Sequence, residues 1–327
     1  MTATSTSSLT VLLAASVLAS GGWNLRAQQP TAPSANTSAV TKPQFDQWMK
    51  ELTNWGRWGK DDERGALNLI TVEKQRHAAS LVKTGTTVSL AHPVVGEKPA
   101  ASPAQPRPVN RMGAGASVFL IDGDYLYERQ EIEYHGARLS HFDALCHVSY
   151  DGRLYNDRAF REVVTESNGC SKLSVTTAKD GIVTRGILLD MPGMRLTRRD
   201  VEAWEKRTGI RISSGDALLL RSRKPGTAVA GLGAAGYDPS LLPFLKERDV
   251  ALLGNDAAQE GGVIPGLMIP IHTFTIVALG MNLLDNLALD DLAAAAAKLK
   301  RWEFMLVVEP LRVQNGAGSP VNPVAIF

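Results

Sequence analysis

The sequence predicts a layered fold of strands and helices, of the α/β or α+β class. In the second half of the chain, short apolar runs of strand length alternate with segments of helical periodicity. The chain has 327 residues, of which 44% are hydrophobic, and this is enough for one large domain or two small ones. No internal repeat is evident, so the pattern favours an ordinary globular domain over a repeat architecture.

The composition narrows the class of function. The formal net charge is +2 at pH 7, so no electrostatic argument favours nucleic acid or an anionic membrane as partner. The expected partner is a small-molecule substrate. The two cysteines exclude a disulfide-rich scaffold. We interpret Cys146 as a small buried hydrophobic residue rather than a nucleophile, and for Cys170 a free thiol is preferred over a bond with Cys146.

Residues 1–27 are predicted to form a signal peptide. The apolar run at residues 9–19 is too short for a stable membrane anchor, and Ala19 and Ala27 offer small-residue cleavage sites. No Lys or Arg precedes the run, so a disordered N-terminus in a cytoplasmic protein is the alternative. Residues 28–41 are rich in Pro, Ser, Thr and Ala and predict a flexible linker. Residues 42–327 are then a single domain of a periplasmic or secreted protein.

The first half of this domain carries recognisable helix and turn signals. Thr71 is predicted to cap a helix with Gly85 just past its end, and residues 86–90 alternate as a strand. Asp122-Gly123 marks a hairpin turn. Residues 94–115 contain four prolines and predict a long irregular loop, which is either a lid over a site or a plain surface loop.

The second half is predicted to alternate strands and helices. The strands are expected at residues 186–190, 217–220, 250–253 and 303–308, the last of these being the final strand. The helices are expected at 197–207, 273–279 and 290–300, with Gly209 ending the first.

The segment from His141 to His147 is the strongest candidate for chemistry. A strand is predicted over about residues 131–145, and extended backbone turns positions i and i+2 to one face, so His141 and Asp143 should converge. An imidazole beside a carboxylate is half of a site for zinc, manganese or a similar ion. His147 would be a third ligand or a general base. The apolar flanks indicate burial, where an unpaired carboxylate is costly; a hydrogen-bonded polar cluster is the alternative.

His135 shares this segment and has an uncertain place in it. It precedes His141 by six residues, so on a regular strand it would lie ~20 Å along the same face. Only a bend at Gly136 would bring it close.

Two later residues are candidates for the same site. His272 stands beside Pro270 at the start of an apolar helix, where it would point into a cleft, cap the helix or fill the core. Asp285 lies in an apolar run, and a buried acid favours a cationic partner. The alternative for Asp285 is a cap for the helix predicted at 290–300.

These motifs together resemble the metal-dependent cyclase family, which includes bacterial kynurenine formamidases and isatin hydrolases. The matching segments span nearly all of the predicted domain in the family's order. They are residues 58–70, His141-x-Asp143-Ala144-x-x-His147, Asp151-Gly152, Gly254-Asn255-Asp256, Pro270-x-His272, Leu284-Asp285-Asn286-Leu287 and Gly318-Ser319-Pro320.

The resemblance implies a swivelling β/β/α fold of the α+β class, a mixed sheet with flanking helices, and a homodimer. It also implies a divalent metal ion, zinc or manganese. The ligands would be His141, Asp143, His272 and Asp285, with Asp143 central, and His147 would be the acid/base residue.

Three positions depart from the family pattern His-x-x-x-His-x-Asp-x-x-x-His with a later His and Glu. Ala137 replaces the first histidine, Asp285 stands near the place of the glutamate, and Leu145 replaces a proline. These changes argue for a single-ion site and against strict kynurenine formamidase activity.

The hypothesis from the sequence is hydrolysis of a small amide or lactone, cyclic or aryl-substituted, by a metal-activated water with His147 moving the proton. One alternative is metal-assisted cyclisation or dehydration. The other, from a different class, is a periplasmic protein that binds a metal or a small molecule without catalysis.

Overall fold

The computed structural model describes residues 39–94, 115–136, 139–224 and 235–327. The predicted signal peptide, most of the predicted linker and nearly all of the candidate lid lie outside the described residues. Within them the first helix begins at Lys42. None of the described helices is both long enough and apolar enough to cross a bilayer.

The strands of the described residues are numbered in chain order. They are β1 (Thr87–Ser89), β2 (Gly115–Asp122), β3 (Tyr125–Ile132), β4 (His141–Asp143), β5 (Arg153–Leu154), β6 (Arg158–Ala159), β7 (Val164–Thr165), β8 (Gly169–Cys170), β9 (Ile182–Asp190), β10 (Arg195–Leu196), β11 (Ala217–Arg221), β12 (Gly236–Tyr237), β13 (Leu252–Asn255), β14 (Asn282–Asp285), β15 (Glu303–Val308), β16 (Gly318–Pro320) and β17 (Val324–Ile326).

The helices are numbered in the same way. The α-helices are α1 (Lys42–Glu51), α2 (Val72–Ser80), α3 (Phe160–Val163), α4 (Arg198–Thr208), α5 (Leu242–Glu247), α6 (Pro270–His272) and α7 (Asp290–Leu299). A wider π-helical turn, Thr273–Ala278, continues α6, and short 3₁₀ turns lie at Gly65–Leu69, Tyr155–Asp157, Val175–Ala178 and Pro239–Leu241.

The main sheet has nine strands in the order β1-β17-β15-β9-β11-β13-β14-β4-β16. The central strands β9, β11, β13 and β14 are parallel to one another, and their neighbours on both sides run antiparallel. Parallel neighbours need long crossovers, which contain α4, α5 and α6. The predicted α+β class, with a mixed sheet and flanking helices, is confirmed.

The central strands are apolar along their whole length because both faces of the sheet are covered. All residues of β13 and β14 are buried, and so are four of the five in β11. Continuous apolar runs are typical of strands covered on both sides. This burial also surrounds the polar residues at the carboxyl ends of β13 and β14, where the candidate site lies.

Helix signals in the sequence correspond to real helix ends. The Thr71 side chain accepts a hydrogen bond from the backbone N–H of Lys74 and begins α2. Thr197 and Asp200 form a reciprocal capping box at the start of α4, which ends at Gly209 in the left-handed conformation. The two starts and the end at Gly209 are confirmed, but α2 ends at Ser80 and not next to Gly85 as predicted.

Two strand predictions are wrong. The strand expected over about residues 131–145 is instead the end of β3, a bend, and the three-residue β4. The strand at 303–308 is not the last, because β16 and β17 follow it and pair with β4 and β15. Short apolar segments give little periodic signal, and their pairing partners lie far away in the chain.

Cys146 and Cys170 form a disulfide, so the preference for free thiols was wrong. The bond joins the turn after β4 to β8, and both residues are 1% exposed. A pairing across a sequence separation of 24 leaves no local pattern in a chain with only two cysteines.

We expect the double variant Cys146→Ser, Cys170→Ser to lower the free energy of unfolding by about 3 kcal/mol, because the bond restricts the unfolded chain. The urea midpoint of the variant and of reduced wild type should fall by equal amounts. A reductant should leave the variant's own midpoint unchanged; equal midpoints for oxidised and reduced wild type would contradict the prediction.

Candidate metal centre

The register of β4 brings three candidate residues to one face of the sheet. β4 lies between β14 and β16, with His141 opposite Asp285 and Asp143 opposite Leu283. Residues paired directly across an antiparallel ladder have side chains on the same face. Because His141 and Asp143 are two residues apart, both share the face of Asp285. One ligand-type atom from each of the three lies within 4.8 Å of the others.

His272 reaches the same point from the start of the helix that follows β13. Its Nε2 lies 3.2 Å from Oδ2 of Asp285 and 3.6 Å from Oδ2 of Asp143. The side chains of residues 272 and 285 therefore meet the 141/143 pair, as the sequence hypothesis requires. Asp285 is not the cap of α7, which begins at Asp290 without a side-chain cap.

His135 also reaches the site because the chain bends after it. Gly136 has φ of 123°, a conformation that side-chain-bearing residues rarely adopt. The side chain of Asn286 donates a hydrogen bond to the carbonyl oxygen of Gly136 and holds the bend against the end of β14. As a result, Nε2 of His135 lies 3.5 Å from Oδ1 of Asp143.

His147 lies on the more open side of the cluster. The turn after β4 is closed by a hydrogen bond from its backbone N–H to the carbonyl of Ala144. Nε2 of His147 is 4.0 Å from Oδ1 of Asp143, and its ring stacks on His135 with centroids 4.3 Å apart. Burial, the largest influence, lowers the pKa of His147, so the ring favours its neutral form.

Asp143 is the centre of this arrangement. It is fully buried, and neither carboxylate oxygen accepts a hydrogen bond from the described residues. Burial opposes its ionisation, but the imidazoles of His147, His135, His272 and His141 outweigh burial and hold the pKa of Asp143 well below its usual range. An ionised carboxylate without hydrogen bonds in the interior costs several kcal/mol unless a cation compensates it.

Hydrogen bonds orient two of the imidazoles. The Nδ1–H of His141 donates to the carbonyl oxygen of Leu139 at 2.7 Å, which directs its Nε2 towards Asp143. In His272, Nδ1 donates to Glu260 at 2.8 Å, and the backbone N–H of His272 donates to the same carboxylate at 3.0 Å. Such partners fix the tautomer and direction of a metal-binding histidine.

Carboxylates also dominate the electrostatics of His272. Burial favours the neutral ring, but Glu260, Asp285 and Asp143 together raise the pKa of His272 well above its usual value. An ion that binds at Nε2 must displace the proton held there, so metal binding at this residue releases a proton.

Sequence reasoning missed Glu260 and Gln259. Glu260 is 1% exposed and orients His272, while the amide of Gln259 donates to Asp285 and to the carbonyl of Leu284. The segment Gly254-Asn255-Asp256, which matches the family, ends just before them. The sequence signal that could have found them is the glycine pair Gly261-Gly262, which follows Glu260 directly. In the structure, a Cβ at Gly261 would lie 2.3 Å from a backbone oxygen, so this loop packs too closely for a side chain there.

We expect Glu260→Gln to weaken metal binding by about 10–100-fold, because an orienting carboxylate is replaced by an amide. A competition assay with a chelating dye would measure the change. Glu303→Gln, which alters an acid paired with Arg185 on β9, is the matched control and should leave metal affinity unchanged. Equal affinities for wild type and Glu260→Gln would contradict this role for Glu260.

The structure thus brings together every residue that the sequence singled out for the site. His141, Asp143 and Asp285 form one group of candidate ligands, and Nε2 of His272 lies against Oδ2 of both carboxylates. His135 and His147 face Oδ1 of Asp143, as His141 does. The set of imidazole and carboxylate donors fits a first-row divalent ion such as zinc or manganese.

Comparison with known proteins agrees with this picture. The profile of the family described as "Putative cyclase" matches residues 88–259, more than half of the chain. The crystal structure of a protein described as a novel cyclase superposes with a TM-score of 0.71 and 26% identity, and covers 85% of this chain and 99% of that chain.

Two isatin hydrolases match over smaller shares of this chain. Isatin hydrolase A from Ralstonia solanacearum is 20% identical with a TM-score of 0.52, over 74% of this chain and 92% of that chain, a likeness of fold alone. The isatin hydrolase of Roseibium aggregatum is 27% identical over 150 residues. That match covers 41% of this chain and 53% of the relative, so the chain spans about half the length of this curated relative. The family match and the shared fold show that the chain belongs to the cyclase family.

Proposed function

We propose that this protein is a metal-dependent hydrolase that opens a small amide or lactone, cyclic or aryl-substituted. The observation that carries the proposal is Asp143, a fully buried carboxylate whose two oxygens accept no hydrogen bond from the described residues. Four imidazole nitrogens lie within 4.0 Å of it. This combination is costly without a cation and favourable with one.

The spacing of the donor atoms supports a cation held by His141, Asp143, His272 and Asp285. Atoms that bind a tetrahedral ion at ~2.1 Å lie ~3.4 Å from one another. In the structure, Nε2 of His141 lies 3.6 Å from Oδ1 of Asp143, and Nε2 of His272 lies 3.6 Å from Oδ2 of Asp143 and 3.2 Å from Oδ2 of Asp285. Nitrogen and oxygen donors in this mixture suit zinc and manganese.

The chemistry divides between the ion and the chain. A bound divalent ion supplies Lewis acidity, which polarises a carbonyl and makes water acidic enough to attack near neutral pH. The chain supplies a proton acceptor in His147, whose side chain is 29% exposed on the open side of the cluster. Its Nε2 takes a proton from the attacking water and delivers it to the leaving nitrogen or oxygen.

Two observations support a substrate with a flat ring. The ring of Tyr134 packs against His135 with centroids 4.4 Å apart and lies 6.3 Å from the His141 ring, so an aromatic wall borders the site. The relatives named isatin hydrolase also carry the name of a cyclic amide substrate.

A screen of N-formyl anilines, cyclic amides and lactones against zinc- and manganese-reconstituted protein tests this proposal. In ¹⁸O-labelled water, hydrolysis should place one labelled oxygen in the product. Cyclisation or dehydration, the second candidate, is favoured by the description of the matching family, and it would place none. Absence of turnover with every compound and both metals would count against the proposal.

We propose an exported location and a homodimer as its setting. The Cys146–Cys170 disulfide supports export, because such bonds persist in oxidising compartments. Cell fractionation and N-terminal sequencing should find protein that begins after Ala19 or Ala27, rather than full-length cytoplasmic chain.

The hairpin β2–β3 exposes Tyr125, Leu126 and Tyr127, and this apolar surface supports a contact between two copies of the chain. Analytical ultracentrifugation would measure the mass of the particle in solution, which should be that of a dimer.

A further inference from the structure

We propose that the Cys146–Cys170 disulfide holds His147 in position for proton transfer, so that breaking the bond slows turnover and leaves the metal bound. The inference rests on the proposed function, which gives His147 its role as acid and base. Cys146 directly precedes His147 in the chain, and Cys170 lies on β8, which pairs with β7 outside the main sheet. The two cysteines are then positioning residues, which act on the reaction through His147.

The metal ligands of this segment are held without the disulfide. His141 and Asp143 lie on β4, which pairs with β14 on one side and with β16 on the other. The side chain of Asn282 also donates a hydrogen bond to the backbone carbonyl of Asp143 at 2.9 Å. Register is strongly specified where a strand is buried, as every residue of β4 is. The metal centre should therefore survive loss of the bond.

His147 lies beyond the end of this ladder, four residues after Asp143. Its backbone N–H donates to the carbonyl oxygen of Ala144 at 3.0 Å, and the N–H of Cys146 donates to that of Leu173 at 3.2 Å. The side chain of His147 is 29% exposed, whereas that of Asp143 is fully buried. Packing therefore restrains the His147 ring less than it restrains this ligand, and the position of the His147 backbone matters more.

The disulfide ties this turn to a firmly anchored strand. The backbone N–H of Cys170 donates to the carbonyl oxygen of Asn315 at 2.8 Å. Gly169, the other residue of β8, packs so closely that a Cβ there would lie 2.4 Å from the same oxygen. Because β8 is fixed in this way, the covalent bond restrains Cys146 and, through it, the backbone of His147.

Proton transfer depends closely on where the ring lies. A general base must come within ~2.6–3.2 Å of the group whose proton it takes. A misplacement of ~1 Å can cost about 10²-fold in rate. We therefore expect the dithiol form to turn over about 10²-fold more slowly, with unchanged metal affinity. Reoxidation by oxidised glutathione moves two electrons and two protons from the thiols to the glutathione disulfide, which becomes two thiols, and it should restore the rate.

The test compares oxidised wild type, reduced wild type and the double variant Cys146→Ser, Cys170→Ser. Both cysteines are buried, so wild type is reduced with a phosphine in urea, refolded and desalted under argon before one equivalent of Zn²⁺ is added. Reduced wild type and the variant should lose about 10²-fold in kcat and keep the affinity for zinc in a chelator competition. Reduced wild type keeps both sulfur atoms, so it tests the bond even where the variant fails to fold.

Two further readouts separate positioning from a merely structural role. In His147→Gln, loss of the bond should cost little more turnover, because the ring on which it acts is absent. In metal-free protein, ¹⁵N relaxation should show the backbone order parameters of Cys146 and His147 fall from ~0.85 towards ~0.6 on reduction, while those of β4 stay unchanged.

The outcomes keep this inference apart from the proposed function. Unchanged kcat in reduced wild type, or unchanged order parameters at Cys146 and His147, would overturn the inference and leave the proposed function intact. Loss of zinc affinity together with the bond would also overturn it, because the disulfide would then act on the ligands. An absence of turnover in oxidised, zinc-loaded wild type would sink the proposed function, and this inference with it.

Discussion

Asp143→Asn should bind no metal and should lower turnover by about 10³-fold or more, a loss of ~4 kcal/mol of transition-state stabilisation. The amide keeps the shape of the side chain but removes the charge that faces all four imidazoles. Zinc should also no longer stabilise the variant against unfolding. In wild type, zinc at 100 times its dissociation constant should raise the free energy of unfolding by about 2.7 kcal/mol, because only the folded protein binds it. Elemental analysis and thermal unfolding with and without Zn²⁺ measure both effects.

Asp216→Asn is the matched control for this variant. Asp216 is as deeply buried as Asp143, but its oxygens pair with Lys74 at 2.7 Å and Arg185 at 3.3 Å. Removing its charge should lower stability and leave the metal content unchanged. The account would be contradicted if Asp143→Asn kept a full equivalent of metal.

His147→Gln should lower turnover by about 10²–10⁴-fold, the range for a lost general acid or base, while the metal stays bound. The reason is that His147 lies outside the set formed by His141, Asp143, His272 and Asp285 and faces only Oδ1 of Asp143. Steady-state kinetics at one equivalent of metal, with elemental analysis of the same sample, separates catalysis from binding.

His77→Gln makes the same exchange at an exposed position on α2 and should leave turnover and metal content unchanged. Full turnover in His147→Gln would refute the proton-transfer role. An absence of turnover in wild type, with metal bound, would instead favour a non-catalytic binding protein.

The local signals were the parts of the fold that could be predicted. The caps at Thr71 and Thr197, the glycine at 209 and the hairpin at Asp122-Gly123 depend on neighbours within a few residues. The central strands also stood out, because burial on both faces makes them continuously apolar. What the sequence could not supply is their order: β4 inserts between β14 and β16, which are more than 130 residues away in the chain.

The candidate site was predictable where spacing or composition carries the information. His141 and Asp143 converge because they are two residues apart, and Asp285 stood out as an acid in an apolar run. For His135, the sequence could say only that a bend at Gly136 would bring it to the site. It could not predict the bend itself, because a hydrogen bond from the distant Asn286 to Gly136 holds it. Glu260 had no such signal, because it acts through His272, twelve residues further along.

The central claim is that one ion lies among side chains from three separate segments of the chain. Anomalous diffraction at the zinc edge, from crystals of protein prepared with one equivalent of Zn²⁺, tests this claim most directly. The account predicts one strong peak ~2.0–2.2 Å from Nε2 of His141, Nε2 of His272 and an oxygen of both Asp143 and Asp285. A peak bound to other residues, with this cluster closed by direct hydrogen bonds, would contradict it.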